Sequence, residues 1–311
     1  MKANNPRQVF DSFRVVDAFK SALIKELGAA PDTIEPGPIQ RFDDPKGKRS
    51  NKACYCQLFS GGHPAGYFGN WRTGEYQTWV YGGTASMTLA ERHIFRQQIA
   101  QAREKREQEQ ALCQNKARAK AENLWKRCSS SNADHPYLKS KQISPGISGQ
   151  LANGCNLILP LFGFDDQLWS LQFVSPDGDK RFLTGGRKKG CFIPVQTPKE
   201  INTVLICEGW ATGQTLAESH PDSCVLAALD AGNLKPVALG ARQRWPECSL
   251  TICGDDDRNK EINTGRIKAR EAAIAAGAQV ALPDWPDNAP IDLTDFNDLA
   301  NWLKAGGQYG S

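Results

Sequence analysis

From Thr203 onward, short apolar runs alternate with helical patterns, and this alternation leaves few folds open. Val204-Leu205-Ile206-Cys207, Cys224–Leu229, Leu250–Cys253 and Gln279–Leu282 read as strands. Helices are expected between them over Thr212–Ser219, Leu234–Arg242 and Gly265–Ala276, the last ended by Gly277. Continuous apolar strands separated by helices form a parallel sheet with both faces covered, an α/β architecture. Such sheets take their ligands beyond the C-terminal ends of the strands. The residues that follow each strand are therefore the ones that bear chemistry.

Three of those positions are acidic. Glu208 follows the first strand, Asp230 the second and Asp255-Asp256-Asp257 the third. Alternate residues of an extended segment share a face, which places Asp255 and Asp257 together and turns Asp256 away. Carboxylates gathered on one site repel one another unless a hard divalent cation sits among them. A lone acidic run is more often a solvated loop. Three acidic clusters at successive strand ends argue for a site.

Glu208-Gly209, the Asp255–Asp257 run and Gly265 resemble the signature of Toprim domains, found in DnaG-type primases, topoisomerases and some nucleases. The longer pattern is similar to primases of conjugative plasmids, phages and integrating elements over about residues 130–300. It comprises Glu208–Gly213, Asp230–Leu234, Asp295-Phe296-Asn297-Asp298-Leu299, His135-Pro136-Tyr137-Leu138, and Leu171-Gln172-Phe173 followed by Gly178–Leu183. The resemblance implies a Toprim-type parallel sheet flanked by helices, and an enzyme that joins ribonucleoside triphosphates into RNA primers on a single-stranded DNA template. It implies that Glu208 works near the 3′-hydroxyl, as metal ligand or proton acceptor, while Asp255 and Asp257 hold Mg²⁺ or Mn²⁺ on the incoming phosphates. Asp230, Asp295 and Asp298 are further candidates for the same metal site. For Asp295 and Asp298, capping of the helix before Leu299 is an equal alternative. A separate replicative helicase is an expected partner.

Charge is unevenly spread along the chain. Residues 200–311 hold 9 Lys/Arg against 16 Asp/Glu, and residues 1–199 hold 29 against 18. Lys180, Arg181, Arg187, Lys188 and Lys189 cluster around Gly185-Gly186. The resemblance makes this cluster a basic ridge for template and nucleotide; the competing reading is a solvated hairpin tip. Lys and Arg bind phosphate without reading bases, as copying many sequences requires.

The remaining chain divides at changes of pattern. Residues 1–87 read as a small α+β domain, with a helix from Val15 to Leu27 stopped by Gly28 and then glycine-punctuated short strands. Tyr55, Tyr67, Trp71 and Trp79 there could stack on single-stranded bases, or simply fill the core, and the domain could bind template or a protein partner. Thr88 and Glu91 have capping-box spacing and open a polar connecting helix over 88–128. Residues 129–199 read as a strand-rich basic subdomain, and 200–311 as the catalytic domain.

Ten cysteines, five of them among apolar neighbours (Cys155, Cys191, Cys207, Cys224 and Cys253), suit a reduced compartment, the cytoplasm. Cys54, Cys56 and His63 are too few and alternate like a strand, so structural zinc is not expected. The opening MKANNPRQVF has no signal-peptide pattern, and no run is long and apolar enough to span a membrane. Two rival functions share the same residues: a Toprim nuclease, and a catalytically silent single-stranded-DNA-binding replication or transfer factor.

Overall fold

The computed structural model describes residues 10–307 other than 48, 61, 72, 74 and 84–86, so the opening segment up to Val9 lies outside the described residues. The chain divides between Glu107 and Gln108 into two compact units.

In the first unit, helix α1 (Ser12–Leu27) packs on an antiparallel sheet of β1 (Gln40–Phe42), β2 (Cys54–Phe59), β3 (Ala65–Asn70) and β4 (Glu75–Val80), in that order. The Asp11 carboxylate caps α1 by accepting from the Phe13 and Arg14 N–H groups, and Gly28 ends it in a left-handed conformation. Val15, Phe19 and Leu23 recur at helical spacing and bury against Cys54, Cys56, Leu58 and Phe68. Cys54 and Cys56 are thus core hydrophobes on one face of β2. Thr88 and Glu91 form the capping box that opens α2 (Leu89–Trp125).

The second unit begins within α2. Its later turns have few apolar residues, yet Ala117 and Ala121 are buried, Ala121 against Ile158, Leu168 and Leu171. Small side chains let a polar helix approach a sheet closely. That sheet is antiparallel: β5 (Ser129–Ser130), β6 (Gly149–Gln150), β7 (Leu157–Phe162), β8 (Leu168–Val174) and β9 (Lys180–Phe182) in order, with α3 (Pro136–Lys141) between β5 and β6.

The α/β part follows as β10 (Ile193–Gln196), β11 (Thr203–Cys207), α4 (Trp210–Ser219), β12 (Cys224–Ala227), α5 (Ala231–Arg244), β13 (Ser249–Cys253), α6 (Thr264–Ala276), β14 (Gln279–Ala281) and α7 (Phe296–Lys304). Its sheet order is β10-β12-β11-β13-β14, with β11 to β14 parallel as the sequence predicts. β10 joins this sheet as an antiparallel edge on β12, although its sequence sits with the preceding strand-rich segment. The two sheets share one core, in which Leu157, Leu159 and Leu161 of β7 pack with Leu205, Trp210 and Val225. Cys191, Cys207, Cys224 and Cys253 are buried in these cores, whereas Cys155 is exposed, contrary to the expectation from its neighbours. All ten cysteines are free thiols, and among the described residues no helix is long and apolar enough to cross a membrane.

Candidate active site

The register of the parallel sheet builds the site. Cys207 pairs with Ala227 on one side and Cys253 on the other, so β11, β12 and β13 end at the same level. Glu208, Asp230 and Asp255 leave those ends within three residues of the paired positions. Leu229 takes a left-handed backbone conformation (φ 79°) just before Asp230, an uncommon geometry for leucine and one concentrated at functional sites.

These segments surround a polar cavity of about 200 Å³ lined by Glu208, Asp230, Asp255 and Asp295, with Lys141, Lys180 and Tyr137 on its wall. Buried oxygens of Glu208 (Oε1) and Asp255 (Oδ1) have no hydrogen-bond partner. Burial, above all, pushes the Glu208 carboxyl up to about 7; the charges of Asp257 and Asp230 add to this, and backbone N–H groups of Asp255 and Ala231 oppose it. Asp255 is pushed up to about 8, first by burial and then by Glu208, Asp295 and Asp257, with Lys180 opposing. Asp295 is also raised, chiefly by burial. Lys180 runs over exposed surface, but crowding of its ammonium and the nearby Lys141 lower its pKa.

Mutually repelling carboxylates with unpartnered buried oxygens, on residues that line a cavity, suit a hard cation. No three His, Cys, Asp or Glu side chains among the described residues are gathered as a ready metal cage. Mg²⁺ rarely uses such a cage; it is held by one or two carboxylates together with water and substrate phosphate. The donor set therefore fits, with Glu208 and Asp255 as the residues that would hold the ion.

The other sequence candidates separate by role. Asp257 lies near enough to raise both Glu208 and Asp255, but its carboxylate faces Lys260 (2.7 Å) rather than the cavity. Asp256 turns away as the strand alternation predicts, and it is buried rather than solvated. It accepts from Asn263 Nδ2 (2.6 Å) and pairs with Arg266 (3.0 Å), fixing the loop that follows β13 to the start of α6. Gly265 belongs to the same packing: a Cβ there would lie 2.5 Å from the Asp255 carbonyl oxygen. Asp295 lines the cavity and caps α7 by accepting from the Asp298 N–H, the capping reading of the sequence. Asp298 does not line the cavity; it accepts from the Thr294 N–H and pairs with Lys141 at 3.2 Å.

The basic cluster divides likewise. Lys180 lines the carboxylate cavity. Lys188 pairs with Asp230 and lies 4.6 Å from the centre of the Phe182 ring. Arg187 stacks over Trp169 (4.7 Å) and borders a second concavity with Phe164, Asp165 and Gly240. Arg181 and Lys189 are exposed.

Several positioning residues had no role assigned from sequence. Buried Asn297 donates to the Lys141 carbonyl (2.8 Å) and to Thr215 Oγ1 (2.9 Å), tying α7 to α3 and α4 and setting Lys141 at the cavity. Tyr137 stacks on Trp210, and its hydroxyl is buried without a partner. Asn233 was visible as part of a motif, but its four hydrogen bonds depend on folding and have no local sequence signal.

Residues 203–307, which run from β11 through α7, match the family model described as Toprim domain. Over 297 residues the chain is 32% identical to a DNA primase TraC of Escherichia coli, covering 90% of this chain and 27% of that protein. A second Escherichia coli DNA primase TraC is 34% identical over 251 residues, 76% of this chain and 17% of that protein. The chain thus spans about a quarter or less of the length of these relatives. Among solved structures, the primase fragment of the bacteriophage T7 primase-helicase protein aligns with 14% identity and a TM-score of 0.41, covering 54% of this chain and 69% of that one. The DnaG primase catalytic domain bound to single-stranded DNA aligns with 12% identity and a TM-score of 0.40, covering 64% and 85%.

Proposed function

We propose that this chain is a DNA primase of mobile-element type, joining ribonucleotides into short primers on single-stranded DNA in the cytoplasm. The observation that carries the reading is that Glu208 and Asp255, each with a buried carboxylate oxygen lacking a partner (Oε1 and Oδ1), line one cavity with Lys180 and Lys141. Four carboxylates and two ammonium groups around one small space suit a substrate bearing both a hydroxyl to be activated and phosphates to be held. The similarity to proteins named DNA primase TraC supports the same reading.

In this reading the 3′-oxygen of the growing primer attacks the α-phosphorus of the incoming triphosphate. The new P–O bond forms as the α–β bridging bond breaks, and pyrophosphate leaves. Bound Mg²⁺ or Mn²⁺ would neutralise charge on the phosphates. Glu208 accepts the hydroxyl proton, a role suited to a carboxylate titrating near neutrality. Asp255, together with Glu208, would hold the ion, Asp257 adds negative charge nearby, and Asp230 and Asp295 complete the acidic wall. Lys180 and Lys141 bind triphosphate oxygens, and Arg181, Arg187 and Lys189 bind template phosphates. Lys188, paired with Asp230, orients the loop between β9 and β10. A separate replicative helicase would supply unwound template.

The test is incubation with single-stranded DNA, labelled ATP or CTP, and Mg²⁺ or Mn²⁺. Labelled oligonucleotides that disappear in Glu208→Gln support the proposal. Shortened DNA without labelled product overturns it in favour of a Toprim nuclease, and a gel shift with neither product overturns it in favour of a silent binder.

A further inference from the structure

The loop joining β1 to β2 in the first unit carries Asp43 and Asp44 against Lys46, Lys48, Arg49 and Lys52 in the sequence. Folding separates them. The Asp43 carboxylate accepts from the Ser50 and Lys52 N–H groups (2.6 and 2.8 Å), and buried Asp44 accepts from the Lys46 N–H and from Asn70 Nδ2 (both 2.9 Å). Ser50 and Lys52 both adopt left-handed backbone conformations (φ 60° and 44°), which this network holds. Lys46, Arg49 and Lys52 remain exposed. The acidic residues are used up in shaping the loop, and its outer surface is cationic.

Trp71 is set against this loop. Its indole N–H donates to the Lys52 carbonyl (3.2 Å), and its backbone N–H to the Ala53 carbonyl (3.1 Å). The Arg41 guanidinium stacks 4.7 Å from the ring centre. Even so, Trp71 is 52% exposed, whereas Tyr67 is fully buried and Trp79 packs on Phe19 at 5.0 Å. A large aromatic residue left open, with Arg41 stacked on it and its base hydrogen-bonded to a loop that exposes Lys46, Arg49 and Lys52, is a combination that binds single strands: bases stack on the ring and phosphates meet the charges. Double-stranded DNA keeps its base faces covered and would use only the charges.

We infer that Trp71, with Arg41, Lys46, Arg49 and Lys52, forms a single-stranded nucleic-acid docking site on the first unit. The inference rests on the nucleic-acid substrate proposed above and assigns its capture to these residues.

The experiment measures anisotropy of a labelled oligo-dT strand and of a labelled duplex with the full chain across a salt series. Trp71→Ala is expected to weaken single-strand binding by about 5- to 150-fold, the equivalent of one stacked base, and to leave duplex binding nearly unchanged. Trp71→Phe should restore most of the affinity. Lys46→Ala with Arg49→Ala should flatten the single-strand salt dependence by roughly 1.4, about 0.7 per lost phosphate contact. Unchanged affinity in Trp71→Ala, or equal losses on single strand and duplex, overturns the inference. Circular-dichroism melts confirm that the variants are folded. Binding is read without synthesis, so a protein that makes no primers but shows this pattern separates failure of the primase reading from failure of the docking site.

Discussion

Asn233 accepts a hydrogen bond from the Gly190 N–H at 2.8 Å and, through its Nδ2, donates to the carbonyls of Lys188, Cys191 and Ala228. One side chain at the start of α5 thus fastens the loop carrying Arg187, Lys188 and Lys189 to the end of β12. Asn233→Ala would leave several nearly buried backbone groups unpaired, each at a cost of about 1–3 kcal/mol where water cannot replace the partner. Its thermal midpoint is expected to fall by several degrees, and primer synthesis to fall further than the lost folded fraction explains. Calorimetry with activity normalised to folded protein checks this. Wild-type stability in the variant would remove Asn233 as the fastener.

The Asp255–Asp257 run is expected to divide in mutagenesis. Asp255→Asn should abolish synthesis while keeping stability near neutral pH and raising it above pH 8, where the aspartate would carry a charge on a crowded site and the amide does not. Asp256→Ala should instead lower stability by roughly 1–3 kcal/mol, since it unties Asn263 and Arg266. Strand alternation alone makes position 256 look dispensable; its burial makes it a folding residue. Equal melting midpoints for wild type and Asp256→Ala would contradict this.

The pH dependence follows from the raised carboxyls. Glu208 and Asp255 titrate at about 7 and 8 in the folded chain, against ordinary values of 4.5 and 3.8. Groups raised on folding bind protons more tightly in the native state, so their contribution is full below pH 4 and is lost as pH rises through 7 to 8. From these groups, metal-free protein should melt lower at pH 8.5 than at pH 6, by about 2–4 °C for each kcal/mol lost. Mg²⁺ should reverse the trend, raising the midpoint more at pH 8.5 than at pH 6. Differential scanning fluorimetry in EDTA and in Mg²⁺ measures both slopes, and a Mg²⁺ effect independent of pH would detach the ion from these carboxylates.

Lys180 and Arg181 are neighbours in sequence with different surroundings. Lys180→Ala is expected to raise the nucleotide concentration needed for half-maximal synthesis, because Lys180 lines the cavity. Arg181→Ala is expected to leave that value and instead flatten the salt dependence of DNA binding by roughly 0.7. Identical kinetic profiles for the two variants would show that they share one function.

The parallel sheet was legible because Val204–Cys207 and its companion strands are short, apolar and separated by helical periodicity. Glu208 and Asp255 could be placed from strand ends, and the alternation of the acidic run held at Asp256 but did not bring Asp257 to the cavity beside Asp255, because its carboxylate turns to Lys260. What sequence withheld were matters of register and reach. Ile193–Gln196 crosses to the second sheet because its edge is completed by β12, a long-range pairing with no local signature. Lys141 arrives at the cavity through Asn297, 156 positions away. The basic residues looked like one ridge because spacing along a chain says nothing about which side chain meets Asp230, which covers Trp169 and which stays open.

The level alignment of Cys207, Ala227 and Cys253 makes the acidic pocket a property of strand registry more than of chain continuity. The connection between α4 and β12 passes through exposed Pro221 and Asp222. A cut or a short insert at that turn should leave the carboxylates assembled, whereas a one-residue deletion inside β12 would rotate its side chains to the opposite face. The chain therefore offers a place for severing and rejoining, or for grafting a reporter, that lies along the contour of the parallel-sheet domain yet outside what holds its acidic pocket together.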